Sequence, residues 1–259
     1  MILTQGVLKL NYFYNKVICS AVYVSLCYTL NMDTIISKEQ QELKALAVEL
    51  GADLIGFSTS ETVPTAIAPN LKNAVSIALK YTDSVLETID EAPSYVYFHA
   101  YRTLNTYLDN IAYRIARAIE KMGYNALPVA ASQSQGKGNP YNGVVPHKTY
   151  AVKSGLGYVG KSGLFISREY GSKVRLATIL TDMPLVRELP IIENGCGNCE
   201  LCVKACPAGA LYGELPTTDG ERNFSAEKCS QYMKKHFQDI GRGSVCGICI
   251  KVCPKNKLK

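Results

Sequence analysis

The sequence predicts an α+β protein in two parts, and two observations carry that reading. Residues 32–190 alternate helical stripes of apolar side chains with short apolar runs, the pattern of a sheet with helices layered on it. Residues 191–259 hold eight of the ten cysteines, in two runs that each close on Cys-Pro, with one further cysteine between them. The 259 residues suffice for one sizeable core and a small module. Hydrophobic content of 47% with 19% charged residues is globular and excludes a disordered chain.

Residues 1–31 stand apart. They carry Lys9 and Lys16, no acidic residue, and an apolar stretch from Val17 to Leu30. That stretch is too short for a bilayer, no small-x-small cleavage site follows it, and no twin-arginine pair precedes it. Residues 1–31 therefore read as an extension upstream of the folded chain, with Met32 as the expected beginning. Cys19 and Cys27 then have no role.

From Met32 the signals become regular. Ser37 to Gln40 spells a capping box, and Leu43, Leu46, Ala47 and Leu50 form a helical stripe stopped by Gly51. Asp53–Phe57 reads as a strand. A loop with Pro64 and Pro69 leads to a buried strand at Asn73–Leu79. Ser94 opens a long helix with Leu104, Leu108, Ile111, Ala112, Ile115 and Ile119 inward, and Gly123 ends it. Asn125–Ala130 is a further strand. The breaker-rich segment 131–146 is longer than an ordinary connection, which marks it as functional or mobile. His147 opens a short helix that Gly155 stops, followed by a glycine-rich turn and a strand; Val174–Leu180 is the last strand. The string from Gly155 to Ser162 matches a P-loop expression. Its order is helix–turn–strand, however, so neither a P-loop nor a dinucleotide fingerprint is expected.

The cysteines carry the chemistry. Cys196, Cys199, Cys202 and Cys206-Pro207 form C-x2-C-x2-C-x3-C-P, and Cys246, Cys249 and Cys253-Pro254 form the same run one cysteine short. Cys229 supplies the missing thiolate. Three cysteines at this spacing wrap one cubane, and the fourth, before proline, points at the other. Cys196, Cys199, Cys202 and Cys253 are thus expected on one [4Fe–4S] cluster, and Cys206, Cys229, Cys246 and Cys249 on the second. The tail reads as a bacterial ferredoxin-like domain with two [4Fe–4S] clusters. Gly197 and Gly247 would let the backbone approach the sulfides. Structural zinc prefers paired C-x2-C knuckles across longer gaps, and disulfide scaffolds are short secreted chains. So many reduced cysteines imply a cytoplasmic location.

Together, Ser154–Lys161, Glu169–Ser172, the full cysteine run, Cys229 in Lys-Cys-Ser-Gln-Tyr, and Val245–Pro254 resemble epoxyqueuosine reductase and its short relatives. Reductive dehalogenases look like distant cousins. The resemblance covers about residues 147–254. It implies a nitroreductase-like α/β domain over 32–190 and a cluster domain over 191–259. It also implies a base-off corrinoid (cobalamin) between the two, a tRNA substrate and a reducing donor of the ferredoxin or flavodoxin class. On this likeness Gly155, Leu156, Gly157, Gly160 and Lys161 line the corrinoid. The family's Asp-Ser-Ala-Pro segment, with its proton-donating aspartate, has no counterpart here. The ungapped position is Tyr141, and His147 lies near the turn, so these two are the candidate general acids.

Two functions remain open on these grounds. One is an oxidoreductase of the epoxyqueuosine reductase type, with electrons passing through both clusters to a corrinoid that reduces a substrate. The other is an electron-transfer protein whose α/β domain docks a partner. The net charge of +6 suits an RNA or an acidic protein. No stable membrane insertion is expected.

Overall fold

The architecture is a four-stranded antiparallel sheet covered on both faces, with the cysteine-rich segment packed against it. In this computed structural model the described residues are 38–59, 68–133, 136, 138, 140–216, 223–241 and 245–257. Ser37 of the capping box, Pro64 and residues 1–31 lie outside them.

Helix α1 (Lys38–Glu49) runs into Gly51 at φ +87°, and strand β1 (Leu54–Thr59) follows. Gln40 of the capping box turns inward, its amide donating to the Val186 carbonyl (2.9 Å) and its oxygen accepting from the Val186 N–H (2.9 Å). Strand β2 (Asn73–Lys80) leads to a short helix α2 (Asp83–Glu87), which the sequence patterns do not announce. Helix α3 (Tyr95–Lys121) begins where Ser94 accepts from the Tyr97 N–H, and Gly123 leaves it at φ +93°. Strand β3 (Ala126–Val129), helix α4 (His147–Lys153), strands β4 (Gly157–Val159) and β5 (Phe165–Ser167), and strand β6 (Val174–Thr181) complete the layer.

The sheet order is β1-β2-β6-β3. Pro128 falls on β3, an edge strand, where a missing N–H costs no ladder bond. The central strands β2 and β6 are buried almost throughout, and their alternate residues feed different cores. Val75, Ile77, Leu79, Ala177 and Ile179 pack with Leu43, Leu108, Ile111 and Ile115 under α1 and α3. Ala74 and Leu180 pack with Val129 and Tyr150, and Ala78 and Leu176 pack with Ala151, Leu156 and Phe165, under α4 and the β4–β5 hairpin. The expected glycine-rich turn after Gly155 is itself a strand: Gly157, Tyr158 and Val159 pair with Ser167, Ile166 and Phe165. The actual turn is Gly160–Leu164.

The cysteine-rich segment contributes α5 (Leu201–Ala205), α6 (Ala226–Phe237), α7 (Ile248–Lys251) and a 3-10 turn (Pro254–Lys257). The first short helix spans Cys202 and ends at Cys206, whose φ −73° and ψ 107° are those of a pre-proline residue. Helical structure thus precedes the Cys-Pro step in that run. Phe237, Val245, Ile248 and Ile250 share one core with Tyr81, Leu86, Ile89, Tyr97 and Phe98. Residues 38–259 form one compact unit.

Ile115 is fully buried where α3 crosses the sheet. Ile115→Ala should lower unfolding stability by about 2–5 kcal/mol, read by denaturant titration, whereas the cap change Ser94→Ala should cost about 1 kcal/mol.

Candidate redox and proton-transfer site

Cys196, Cys199, Cys202 and Cys253 line one cavity, together with Ser162, Ile166, Pro254 and Lys255. The remaining four form a second group. Burial pushes the Cys229 thiol up to about 11, and Cys246 and Cys206 add to it. Burial also holds the Cys249 thiol well above its ordinary value, with Cys246, Cys229 and Cys206 next in weight. Crowded, part-buried thiols of this kind ionise only when a cation compensates them, which a cluster does. Among the described residues no three His, Cys, Asp or Glu side chains converge closely enough to hold a single metal ion. The first group instead rings a cavity, a form that suits a polynuclear cluster.

The two Cys-Gly-x-Cys loops share a sequence pattern but not an environment. A Cβ on Gly197 would meet nothing within 4 Å. A Cβ on Gly247 would sit 2.6 Å from the Tyr97 ring, and the backbone there is left-handed at φ +81°. Gly247 is therefore a glycine because α3 presses an aromatic ring onto the loop. The hairpin approaches the first group in the same way. A Cβ on Gly160 would lie 3.0 Å from Cys196 Sγ, and one on Gly195 would lie 2.9 Å from the Tyr158 hydroxyl. Asn194 anchors the run from below, donating to the Val159 carbonyl (2.7 Å) and accepting from the Cys196 N–H (2.9 Å).

The glycine-rich segment also faces protein atoms. A Cβ on Gly155 would strike the Leu189 and Pro190 carbonyls, at 2.6 and 2.7 Å, and one on Gly157 would strike the Ile166 carbonyl at 2.1 Å. Leu156 is buried with Leu54 and Phe165. Lys161 is half-buried beside the turn. Protein atoms already occupy the space that these glycines leave, so packing by itself accounts for Gly155, Gly157 and Gly160.

A second constellation lies on the other side of the second cysteine group. Arg175 sits within β6 and points at α3. Its guanidinium donates to Asn105 Oδ1 (2.8 Å), the Ala131 carbonyl (3.3 Å) and the Tyr101 hydroxyl (3.4 Å), and it lies 4.4 Å from the Tyr101 ring centroid. None of the ion pairs among the described residues includes it. Burial pushes the Tyr101 phenol up, but Arg175 and hydrogen bonds with Ser132 and Asn105 outweigh it, leaving the phenol below its ordinary value. Ser132 shares a 3.1 Å hydrogen bond with Tyr101. Tyr81 and Tyr97 complete the line, their rings 5.3 Å apart. The Tyr81 hydroxyl is buried without a well-formed hydrogen bond, and burial pushes it up to about 12. The phenols thus run from the Gly247 loop to the start of segment 131–146. Sequence reasoning missed this centre. Its one signal was a lone arginine inside an otherwise apolar strand.

The two candidate acids are placed differently. Tyr141 is 39% exposed on the loop before α4. His147 lies under the sheet with both ring nitrogens engaged, Nε2 with the Ala130 carbonyl (3.0 Å) and Nδ1 with the Thr178 hydroxyl (2.8 Å). A carbonyl only accepts, so Nε2 carries the hydrogen and Nδ1 accepts from Thr178. No ring nitrogen is left to serve as a general acid. Of the other histidines, His236 stacks on Tyr232 (4.2 Å) and His99 packs on the Phe98 ring (5.4 Å).

Residues 195–256 match the model of a 4Fe-4S double cluster binding domain. Tetrachloroethene reductive dehalogenase of Sulfurospirillum multivorans is 31% identical over 150 residues, covering 55% of this chain and 28% of the relative. Epoxyqueuosine reductase of Lactococcus garvieae is 37% identical over 116 residues, covering 41% and 31%. The chain therefore spans about a third of the length of these curated relatives. Among solved structures, a catabolic reductive dehalogenase superposes with a TM-score of 0.67 at 24% identity, covering 83% of this chain and 31% of that one. An epoxyqueuosine reductase with a modified tRNA stem loop superposes at 0.57 and 24% identity, covering 84% and 65%. At that identity the likeness shows the fold.

The His147 environment predicts a pH dependence of stability. Burial lowers its pKa from 6.5 to about 4; Arg175 adds to the lowering, while the Ala130 carbonyl and Asp109 oppose it. The unfolded chain binds the proton more readily, so this contribution is complete above pH 6.5 and lost as pH falls towards 4. The loss should reach up to about 3 kcal/mol, and His147→Gln should flatten the stability curve across that window.

Proposed function

We propose that this chain, a short relative of the epoxyqueuosine reductases and reductive dehalogenases, is an iron–sulfur oxidoreductase delivering electrons to a reducible group at the Arg175–Tyr101 centre. Cys196, Cys199, Cys202 and Cys253 hold one [4Fe–4S] cluster, and Cys206, Cys229, Cys246 and Cys249 the other. The observation that carries the reading is the shared core in which Tyr97, Tyr81 and Tyr101 pack between the Gly247 loop and Arg175. It joins the second cluster to the one described place where an acidified phenol stands beside an arginine without a carboxylate.

Reductive cleavage of a carbon–halogen bond consumes two electrons and one proton and releases halide; removal of an epoxide oxygen consumes two electrons and two protons and releases water. The clusters supply the electrons one at a time. Tyr101 supplies a proton, and Arg175 stabilises the phenolate that remains. His147 holds β3, α4 and β6 in register from the opposite face. One solved relative is a reductive dehalogenase whose structure suggests a mechanism for B12-dependent dehalogenation. A corrinoid bound here would supply the low-valent metal centre for the cleavage; Tyr101 and Arg175 would supply the proton and the positive charge. A tRNA substrate is supported by the stem-loop complex of a solved relative. A ferredoxin- or flavodoxin-class donor and a cytoplasmic location complete the proposal; no described helix is long and apolar enough to cross a membrane.

Anaerobically purified protein should contain about eight irons and matching sulfide, and Cys229→Ala should lose about one to four of the irons. Stoichiometric zinc without sulfide would refute the cluster reading. The reduced protein should then turn over an epoxyqueuosine-containing tRNA stem loop or a chlorinated alkene in the presence of cobalamin. Tyr101→Phe should slow that turnover about 100-fold or more while iron content stays unchanged. Clusters that cycle with no turnover of either substrate would leave an electron carrier instead.

A further inference from the structure

The two cysteine groups sit in different electrostatic settings. Around the second, a Cβ on Gly247 would meet the Tyr97 ring and Ile89, and Val245, Ile248 and Ile250 belong to the same apolar core. Around the first, Gly197 and Asn198 are exposed, and Gly197 has open space where a side chain would stand. Among the described residues that line the first cavity, Lys255 is the one cation. Its Nζ lies 3.5 Å from where a Cβ would stand on Gly195, the residue before Cys196. None of the ion pairs among the described residues includes it. Glu193 and Glu200, the carboxylates that flank the first Cys-Gly-x-Cys loop, are exposed and do not line the cavity. The turn that carries Lys255 is fixed at its backbone. A Cβ on Gly171 would lie 2.6 Å from the Lys255 carbonyl oxygen, and the next residue, Asn256, accepts from the Ser172 N–H (2.8 Å) and donates to the Ile250 carbonyl (2.7 Å).

We infer that Lys255 sets the reduction potential of the first cluster and holds it above that of the second, so that the first electron to enter the chain rests at the site of Cys196, Cys199, Cys202 and Cys253. The inference rests on the proposed reading of those four cysteines as a cluster site. Reduction is a single electron transfer: the external donor is oxidised by one electron, the cluster core passes from 2+ to 1+, and no bond or proton moves. With four thiolates around it, the site is anionic before the electron arrives and more so afterwards. A cation beside it therefore favours the reduced form, and so does contact with water, whereas an apolar shell favours the oxidised form. Both influences act in one direction here, because the site with the lysine is also the site with the exposed loop. The second cluster, under Tyr97 and Ile89, then accepts its electron only after the first is filled. Filled in that order, the pair holds the two electrons that a reductive cleavage consumes.

The test is an anaerobic redox titration of the cluster-loaded protein, followed by electron paramagnetic resonance. The wild type should take up electrons in two separate steps. Lys255→Gln should lower the upper potential by about tenfold in the one-electron equilibrium constant, about 59 mV, and leave the lower potential unchanged. Lys255→Met, which keeps the apolar stem, should do the same, and Lys255→Arg, which keeps the charge, should hold the wild-type value. Iron and sulfide content, unchanged in all three, separates a shift of potential from the loss of a cluster. The step that Lys255→Gln moves should persist in Cys229→Ala, where the second site lacks a ligand. The inference is overturned if the neutral variants leave both potentials in place, if Lys255→Arg lowers the upper one as far as they do, or if the step they move is absent from Cys229→Ala. Iron lost from both neutral variants would also overturn it, by making Lys255 a structural residue. A wild type with no reducible cluster would instead end the cluster reading itself.

Discussion

Everything in this structure depends on how closely the cysteine-rich segment approaches the sheet layer. The approach is made at glycines. Gly160 gives room to Cys196 Sγ, Gly195 to Tyr158, Gly247 to Tyr97, and Gly171 to the backbone of Lys255 and Asn256. Each is a place where one methyl group would push apart two elements distant in sequence. Asn256 then fastens the end of the chain, accepting from the Ser172 N–H (2.8 Å) and donating to the Ile250 carbonyl (2.7 Å). The shared core of Tyr81, Tyr97, Phe98, Phe237 and Ile248 makes the joint apolar as well as tight. A module held by one flexible linker could not fix the distance between its cysteines and the sheet layer; this joint does.

The joint also breaks the symmetry of a repeated motif. Two Cys-Gly-x-Cys loops with the same local sequence face different neighbours, one solvent and one the ring of Tyr97. A repeat alone would give two interchangeable sites. Packing a helix onto only one of them gives the pair a direction, from an outer group of cysteines to an inner one. Tyr97 and Tyr101 stand one helical turn apart on α3, so the helix that covers the inner loop also delivers the phenol beside Arg175.

Much of the fold was legible because its signals are local. Ser94 and Gly123 bound α3, and the apolar alternation of β2 and β6 marks strands covered on both faces. The grouping of the cysteines was legible from spacing, since three ligands on one loop leave the fourth few places to reach. What was not legible is long-range. Glycines 155, 157 and 160 look alike as a string whether they face a cofactor or a neighbouring loop, and the difference lies in Leu189, Pro190 and Ile166. The Arg175 centre draws on Tyr81 after β2, on Tyr97, Tyr101 and Asn105 of α3, on Ala131 and Ser132, and on β6, segments far apart in sequence. Tyr101 in particular carried no stripe signal, because its partner lies on β6, far along the chain.

Arg175 shows why such a centre is worth its cost. A half-buried guanidinium on a central strand loses hydration, and its hydrogen-bond partners here are an amide, a carbonyl and a phenol, all neutral. A carboxylate in the same place would neutralise the charge and stabilise the fold more. It would also cancel the field at Tyr101, since the pull on that phenol exists only while the cation is uncompensated. The strand thus keeps a charge that its own packing does not require. Its benefit appears when a second negative charge develops nearby, as on a phenol that has just given up its proton. The neutral hydrogen-bond partners of Arg175 separate it from the structural ion pairs of this layer, and the proposed proton-transfer role of Tyr101 rests on that difference.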